Sequence, residues 1–206
     1  MKALLLFIAL AATPIQAQTC TPPVFAQRLL QTIPETPDQS LFTEALVATV
    51  NFERCTAGKQ PLHTQAPLRK AALIHSRNMA KTNTFNHVSR AGNARTLKDR
   101  ARLANLHWRW IAENIALIPR YRFGHKTPFH VIDRAACRFV TPNSGAEIPA
   151  HSYASLAQTV TTNWMASKAH RDNILSRYAD RMGAAAEFDP SGAPCGQFYI
   201  TQVFAD

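Results

Sequence analysis

The sequence lacks the patterns that place a chain in a membrane or along a nucleic acid. Beyond residue 17, no apolar run approaches the roughly 20 residues that a membrane-spanning helix needs. Lysine and arginine never form a run of five or more. Internal repeats and low-complexity tracts are missing too, which argues against a repeat architecture or a long disordered region.

Acidic residues are scarce. The 206 residues contain 13 Asp and Glu against 23 Lys and Arg, and the formal net charge is +10. Such a balance favours contact with anionic surfaces, so an envelope or membrane surface is a candidate partner, whereas nucleic acid is not expected. Because the cations are scattered along the chain, a basic surface that simply faces solvent is an equally good interpretation.

The N-terminus predicts export. Met1 and Lys2 precede an apolar run over residues 3–12, and Ala17 ends a pattern suited to signal peptidase. A run of about ten apolar residues is typical of a signal peptide and too short to span a bilayer, which disfavours the alternative of a short membrane anchor. We therefore predict a cleavable signal peptide over residues 1–17 and a secreted or periplasmic location.

The chain has four cysteines, Cys20, Cys55, Cys137 and Cys195. An even number in an oxidising compartment permits two disulfides, and four cysteines allow three pairings. We favour Cys20–Cys55, which would tie an N-terminal arm to the first helix, and Cys137–Cys195, which would pin an inserted loop. The sequence alone does not decide among the three. No zinc-ribbon spacing is present, so a cysteine-ligated metal is not expected.

Periodicity predicts helices in the first part of the chain and strands at its end, which indicates an α+β domain with a small antiparallel sheet packed against helices. The predicted helices cover about 41–57, 67–79, 96–104 and 152–167, and the predicted strands cover 182–188 and 197–204. A proline-rich arm (18–40) precedes the domain (41–206), and residues 118–152 form a loop-rich insertion without clear periodicity.

Three residues are candidates for a catalytic or metal-binding role, whereas a fourth, a histidine, is predicted to be structural. Glu113 is a lone carboxylate within the apolar segment 111–116, where burial would require a partner or a proton. His87 and His170 each follow a predicted helix. His75, on the apolar face of the second helix, is instead predicted to be a core histidine with one satisfied nitrogen. Taken singly, His87 and His170 are more typical of surface histidines than of ligands.

Read in order, these segments resemble the CAP superfamily, also called the SCP domain, and in particular its bacterial branch. This superfamily includes cysteine-rich secretory proteins, antigen 5 proteins and plant pathogenesis-related proteins. The likeness runs from about residue 41 to 206, and no single piece carries it. The matching pieces are 50–54, 57–58, 61–62, 68–79, 85–87, Arg100, 113–116, 164–167, 170–175, 182–183 and 199–204.

The resemblance implies an α/β/α sandwich with a concave cleft. His87 matches the family's first cleft histidine, Glu113 the glutamate of its G-E-N motif, and His170 its second histidine. The resemblance makes these three the candidate catalytic residues. Family members can bind a divalent metal such as Zn²⁺ through the two histidines. Neutral imidazoles are good zinc ligands, and a nearby carboxylate can ligate the metal or orient a bound water.

Two positions depart from the family pattern. Ala112 replaces the glycine before the glutamate, and Ser167 replaces a second glutamate, as is usual in the bacterial branch. Ser167 and Asn114 are expected as polar neighbours in the cleft. Loss of the second carboxylate weakens the case for catalysis by paired carboxylates. A Ser167–His170–Glu113 triad is disfavoured because residues spaced i and i+3 at a helix end rarely reach attack geometry, and no nucleophile elbow surrounds the serine.

Two functions remain open at this stage. The first is a secreted binding module whose cleft engages a lipid, a wall component or a partner protein, with or without a bound divalent metal. The second is a metal-assisted hydrolase of protease, nuclease or esterase type that uses the same cleft residues. We favour binding, because function has to be argued from the site and the sequence offers no dedicated nucleophile.

Overall fold

The computed structural model of the chain describes residues 19–90, 92–124, 128–192 and 194–206. The signal peptide predicted over residues 1–17 lies outside these residues and stays a prediction. Within the described ranges, no helix combines the length and the apolar character needed to cross a membrane.

The helices are close to their predicted positions. Asp38 caps α1, its Oδ1 accepting hydrogen bonds from the amides of Ser40 (2.7 Å) and Leu41 (3.1 Å), and Gly58 follows the helix at φ +66°. A short 3₁₀ turn, Gln27–Leu29, lies in the N-terminal arm. The helices are α1 (Gln39–Thr56), α2 (Ala66–Thr82), α3 (Leu97–Leu103), α4 (Tyr153–Ala166) and α5 (Lys168–Ile174).

A four-stranded sheet, ordered β1-β5-β6-β2, forms the centre of the fold. The pairs β5–β6 and β6–β2 are antiparallel along their whole length, whereas the two-residue β1 runs parallel to β5. Strand β2 therefore lies at one edge of the sheet. The strands are β1 (His63–Thr64), β2 (Ile111–Pro119), β3 (His130–Asp133), β4 (Arg138–Val140), β5 (Arg181–Asp189) and β6 (Gln197–Ala205).

Helices cover both faces of this sheet, which confirms the expected α/β/α sandwich. Along β6, Phe198, Ile200 and Phe204 pack with α1 and α4 in one core, while Val203 and Ala205 pack with α2 and α3 in the other. Alternate side chains thus serve opposite layers, and both sets are buried. Helix α2 approaches β5 so closely that a Cβ on Gly183 would lie 2.1 Å from the Arg69 nitrogen.

The insertion contains more regular structure than its sequence predicts. Strands β3 and β4 form a two-stranded hairpin with an irregular register between Val131 and Asp133, over a cluster of Tyr121, Phe123, Phe129 and Phe139. Its strands have three and four residues and every residue of β3 is exposed, so no apolar alternation marks them in the sequence. The hairpin is held by local aromatic packing instead.

Both favoured disulfides are present in the structure. Cys20–Cys55 joins the N-terminal arm to α1, and Cys137–Cys195 joins the end of the hairpin turn to the β5–β6 connection. The described residues contain no free cysteine. The second disulfide therefore ties the insertion to the central sheet.

Candidate functional site

The outer edge of β2 organises the site. An edge strand exposes backbone groups that need partners. Here the Glu113 carbonyl accepts a hydrogen bond from Asn173 Nδ2 (3.4 Å), and the Ile115 carbonyl accepts one from Trp164 Nε1 (3.0 Å). These donors belong to α5 and α4. The edge strand and the two helices that carry His170 and Ser167 are thereby locked together.

Glu113 is buried on the α2 side of that edge, its side chain only 3% exposed. Its Oε2 accepts a hydrogen bond from Arg100 Nη2 at 2.6 Å, and its Oε1 lies 3.0 Å from His87 Nδ1. Burial raises the pKa of this carboxyl. The contacts with His87 and Arg100, together with the nearby His75, outweigh burial, and the pKa lies below its ordinary value. Both oxygens of an ionised Glu113 are therefore already engaged.

Arg100 connects Glu113 to the loop that carries His87. Its fully buried guanidinium donates to Glu113 and to the carbonyl oxygens of His87 (3.3 Å), Ala94 (3.3 Å) and Arg95 (3.0 Å). No role was predicted for this arginine beyond its place in the family resemblance. A usable signal was present, because Arg100 occupies the apolar face of α3 beside Ala101 and Ala104, where a charge needs a buried partner.

His75 corrects another expectation. It is buried in the core as predicted, but neither ring nitrogen forms a hydrogen bond of normal geometry with any residue in the described part of the chain. The backbone of Asn86 lies close enough to favour the protonated ring and slightly oppose the fall in its pKa. Nε2 instead lies 3.7 Å from Glu113 Oε1, beyond hydrogen-bond distance. Burial lowers the pKa of His75 to about 4, with Glu113 partly opposing the shift, so the ring is neutral at physiological pH. It was missed as a site residue because its helical periodicity is that of a core position.

His170 reaches the site from the opposite layer. Its carbonyl accepts a hydrogen bond from Asn114 Nδ2 (3.2 Å), and its ring lies 6.5 Å from that of Trp164 between centroids. Burial, followed by the positive potential of His87, lowers the pKa of its imidazole. The structure thus brings His87, Glu113 and His170 to one edge of the sheet from α2–α3, β2 and α5.

The two other expected neighbours have different positions. Asn114 is fully buried; its Oδ1 accepts a hydrogen bond from Asn173 (2.9 Å) and its Nδ2 also lies 3.4 Å from Gln202 Oε1, so it holds α5 against the edge strand. Ser167 is half-buried at the junction of α4 and α5. Among the described residues, its hydroxyl makes no hydrogen bond to His170.

The loop that carries His87 exposes both apolar and basic side chains, and we call these side chains the rim. Phe85 and Val88 are 48% and 47% exposed, and the His87 side chain between them is 52% exposed. Arg90 and Arg95, on the same loop, are also exposed. A ligand that reaches the His87 ring would therefore meet apolar side chains and positive charge together.

The donor set suits a weak two-imidazole metal site. Glu113 holds Nδ1 of His87, which leaves Nε2 directed outward, the usual arrangement of a carboxylate behind a metal-binding histidine. Across the described ranges, no three His, Cys, Asp or Glu side chains are grouped to hold an ion. If a metal binds here, the His87 and His170 imidazoles are the groups that would hold it, with Glu113 as an outer partner.

Comparison with known proteins places this site in context. Residues 47–204 match the model of the CAP family, described as the cysteine-rich secretory protein family. The fold is similar to that of an extracellular SCP-domain protein from Bacillus anthracis str. Ames (TM-score 0.54, 20% identity), with 81% of this chain and 41% of that one covered. The chain therefore spans about two fifths of that protein's length.

A second similar structure is an outer surface protein from Borrelia burgdorferi. Its TM-score is 0.54 at 11% identity, and the match covers 82% of this chain and 95% of the other. At such identities these structures establish a shared fold. No curated protein matches the chain significantly in sequence.

Proposed function

Because the chain belongs to the cysteine-rich secretory protein (CAP) family, we propose that it acts outside the cytoplasm as a binding module whose cleft takes up a cell-envelope ligand. His87 and His170 are the groups that meet the ligand, and Glu113 holds His87 in place. The extracellular and outer-surface proteins that share the fold support the location, as does the sequence of residues 1–17.

The engagement of Glu113 is the observation that carries this proposal. A general base needs a free carboxylate within reach of the proton that it removes. Glu113 gives one oxygen to Arg100 at 2.6 Å and the other to His87 at 3.0 Å, and its side chain is almost inaccessible. Such a carboxylate orients an imidazole and leaves the two histidines as the accessible polar groups.

The exposed side chains of the loop that carries His87 indicate the chemical class of the proposed ligand. Exposed Phe85 and Val88 favour an apolar portion, while Arg90 and Arg95 favour an anionic one. An anionic lipid provides both features in one molecule. A wall polymer or an acidic partner protein fits the basic charge alone and is the weaker match to the apolar rim.

A divalent metal is compatible with this role. The His87 and His170 imidazoles would hold Zn²⁺, and the metal when bound would act as an exchangeable bridge to an anionic ligand group. The chain's own contribution is to fix the His87 ring through Glu113 and to keep His170 next to the edge strand through Asn114.

The hydrolase alternative needs a general base or a nucleophile that is not already held by other contacts. Glu113 is already engaged, Ser167 stands where a second carboxylate would act, and its hydroxyl is not hydrogen-bonded to His170 within the described residues. These contacts favour binding over turnover. They also make the alternative testable, because hydrolysis at this site would depend on the same two histidines.

The test compares a His87→Ala/His170→Ala variant with a matched His63→Ala/His107→Ala variant, whose exposed histidines lie outside the cleft. Co-sedimentation with vesicles of anionic phosphatidylglycerol is measured for both, beside neutral phosphatidylcholine vesicles. We expect anionic-vesicle binding to fall in the cleft variant and to persist in the control. Equal binding by both variants would contradict the proposal. Hydrolysis of ester, peptide or nucleic-acid substrates that disappears only in the cleft variant would establish the alternative.

A further inference from the structure

Unpaired buried polar atoms concentrate around Glu113. In the described ranges, the buried side-chain nitrogen and oxygen atoms without a hydrogen-bond partner are both ring nitrogens of His75, Ser89 Oγ and Arg100 Nε. His75 and Arg100 both lie against Glu113. A buried polar group without a hydrogen bond of normal geometry is unfavourable, so a core position that keeps such a histidine beside a carboxylate calls for an explanation.

Two imidazoles lie close to the same oxygen of Glu113. His87 Nδ1 lies 3.0 Å from Oε1 and is partly open to solvent, whereas His75 Nε2 lies 3.7 Å from the same atom and is completely buried. Only one of them is within hydrogen-bond distance. A movement of about half an ångström would bring His75 into that range.

From this arrangement we propose that His75 is a positioning residue that replaces His87 as the partner of Glu113 Oε1 whenever His87 turns outward. The exchange keeps the buried carboxylate paired, so the His87 ring can move to a ligand without leaving an unsatisfied charge in the core. This role rests on the proposed function, in which His87 meets the ligand. Glu113 holds His87 in the unliganded protein, and the exchange supplies a partner for Oε1 when His87 leaves it.

The geometry supports such an exchange for a specific reason. Arg100 holds Oε2 at 2.6 Å and fixes the carboxylate in position, so Oε1 remains near both histidines whichever one bonds to it. His75 projects from the middle of α2, where a ring can shift without disturbing a loop. Its low pKa, about 4, keeps it neutral, and its single N–H can be directed to Glu113 Oε1 or to the nearby backbone of Asn86.

If His75 and His87 can each pair with Glu113 Oε1, their substitutions should not have additive effects on stability. His75→Leu leaves Oε1 with His87, and His87→Ala leaves it with His75, so each single change is mild. The double variant leaves the oxygen with neither. We expect the unfolding equilibrium constant of the double variant to exceed the product of the two single effects by about tenfold.

The measurement is a double-mutant cycle based on denaturant unfolding. It is made at pH 8, above the ordinary pKa of histidine, so that repulsion between charged imidazoles does not contribute. The control cycle pairs His75→Leu with His107→Ala, an exposed histidine away from the cleft, and should be additive. An additive His75–His87 cycle, or a double variant milder than the product of the singles, would overturn the proposal.

Two further variants keep the test decisive if His75→Leu fails to fold. Gln places an amide nitrogen close to the position of histidine Nε2, whereas Asn is too short to reach Glu113. In the His87→Ala background, His75→Gln should therefore retain stability and His75→Asn should lose it. Equal behaviour of the two would overturn the exchange.

A structure of the His87→Ala variant gives an independent reading. The distance between His75 Nε2 and Glu113 Oε1 should shorten from 3.7 Å to about 3.2 Å or less, and an unchanged distance would overturn the proposal. Neither experiment contains a ligand. If the cleft variant binds vesicles as the control does but the His75–His87 cycle is non-additive, the binding function alone is rejected. If vesicle binding falls as expected but the cycle is additive, the exchange alone is rejected.

Discussion

Arg100 and Glu113 form a buried ion pair, Nη2 to Oε2 at 2.6 Å, that joins helix α3 to the edge strand of the sheet. Neither side chain has appreciable solvent exposure. The same guanidinium binds three carbonyls of the loop carrying His87. The position of the exposed histidine thus depends on a charge in the core.

Removal of the Arg100 side chain should therefore strongly destabilise the folded protein. Arg100→Met leaves Glu113 with a buried, half-paired carboxylate and releases the loop, and we expect a loss of about 3–5 kcal/mol in the free energy of unfolding. Denaturant unfolding measures it. Arg102→Met is the matched control, since Arg102 pairs with Asp99 on the exposed face of the same helix and should contribute about 1 kcal/mol or less. Comparable losses in both variants would contradict the role assigned to Arg100.

The amide of Asn114 should position His170 without contacting a ligand. Asn114→Ala removes its bond to the His170 carbonyl and leaves Asn173 without its 2.9 Å partner. We expect a loss of about 1–3 kcal/mol in stability and weaker Zn²⁺ binding, because α5 is no longer held against the edge strand. Calorimetry and denaturant unfolding check the two effects. Asn163→Ala, at an exposed position of α4, should change neither, and a loss there of similar size would refute the assignment.

Much of the layered fold was predictable because its signals are local. The α1 cap at Asp38, the apolar face of α2 and the alternation in β6 each predict an element that the structure contains. The helix predicted over 152–167 corresponds to α4, but α5 follows directly and was not predicted. Its seven residues offer too short a periodic pattern, and Asn173 and Ile174 acquire their roles only through contact with β2 and the core.

The candidate site was predictable only in part. His87, Glu113 and His170 were found through the family resemblance, since isolated histidines carry no distinguishing pattern. Arg100 and His75 were not, because their importance arises from distances to Glu113 that link α2, α3 and β2. Sequence periodicity reports which face of a helix is buried. It does not report which buried side chains meet across the core.

Burial of His151 predicts a pH dependence of stability. Its pKa lies at about 4, because burial disfavours the imidazolium and the charge of Arg122 adds to this. Between about pH 4 and 6.5 the unfolded chain binds more protons than the folded protein. The free energy of unfolding should thus be highest above pH 6.5 and fall by up to about 3 kcal/mol towards pH 4 on account of this residue. His75 contributes in the same direction.

His151→Asn isolates the contribution of that residue. The amide can take the place of Nδ1, which lies 2.9 Å from Ser155 Oγ, but it does not titrate. Denaturant unfolding between pH 4 and 7.5 should give a flatter profile than the wild type. The exposed His107 serves as control, since His107→Asn should keep the original slope. A His151→Asn profile as steep as that of the wild type would show that the buried ring is not responsible.

The Cys137–Cys195 disulfide should stabilise the insertion more than the cleft. It spans 58 residues of sequence, for which loop-closure entropy predicts up to about 4 kcal/mol. A Cys137→Ser/Cys195→Ser variant should lose stability by this order in denaturant unfolding, while its Zn²⁺ affinity stays unchanged, because His87 and His170 lie on other elements. Loss of Zn²⁺ binding would instead indicate that the insertion forms part of the cleft.

The most direct test of the central claim is the affinity of the cleft histidines for Zn²⁺, measured by titration calorimetry. The claim is that His87 and His170 are the accessible binding groups and that Glu113 supports His87 from behind. The account predicts that the wild type and His63→Ala/His107→Ala bind Zn²⁺ alike, and that His87→Ala/His170→Ala binds at least tenfold more weakly. Equal Zn²⁺ affinity in all three proteins would contradict it.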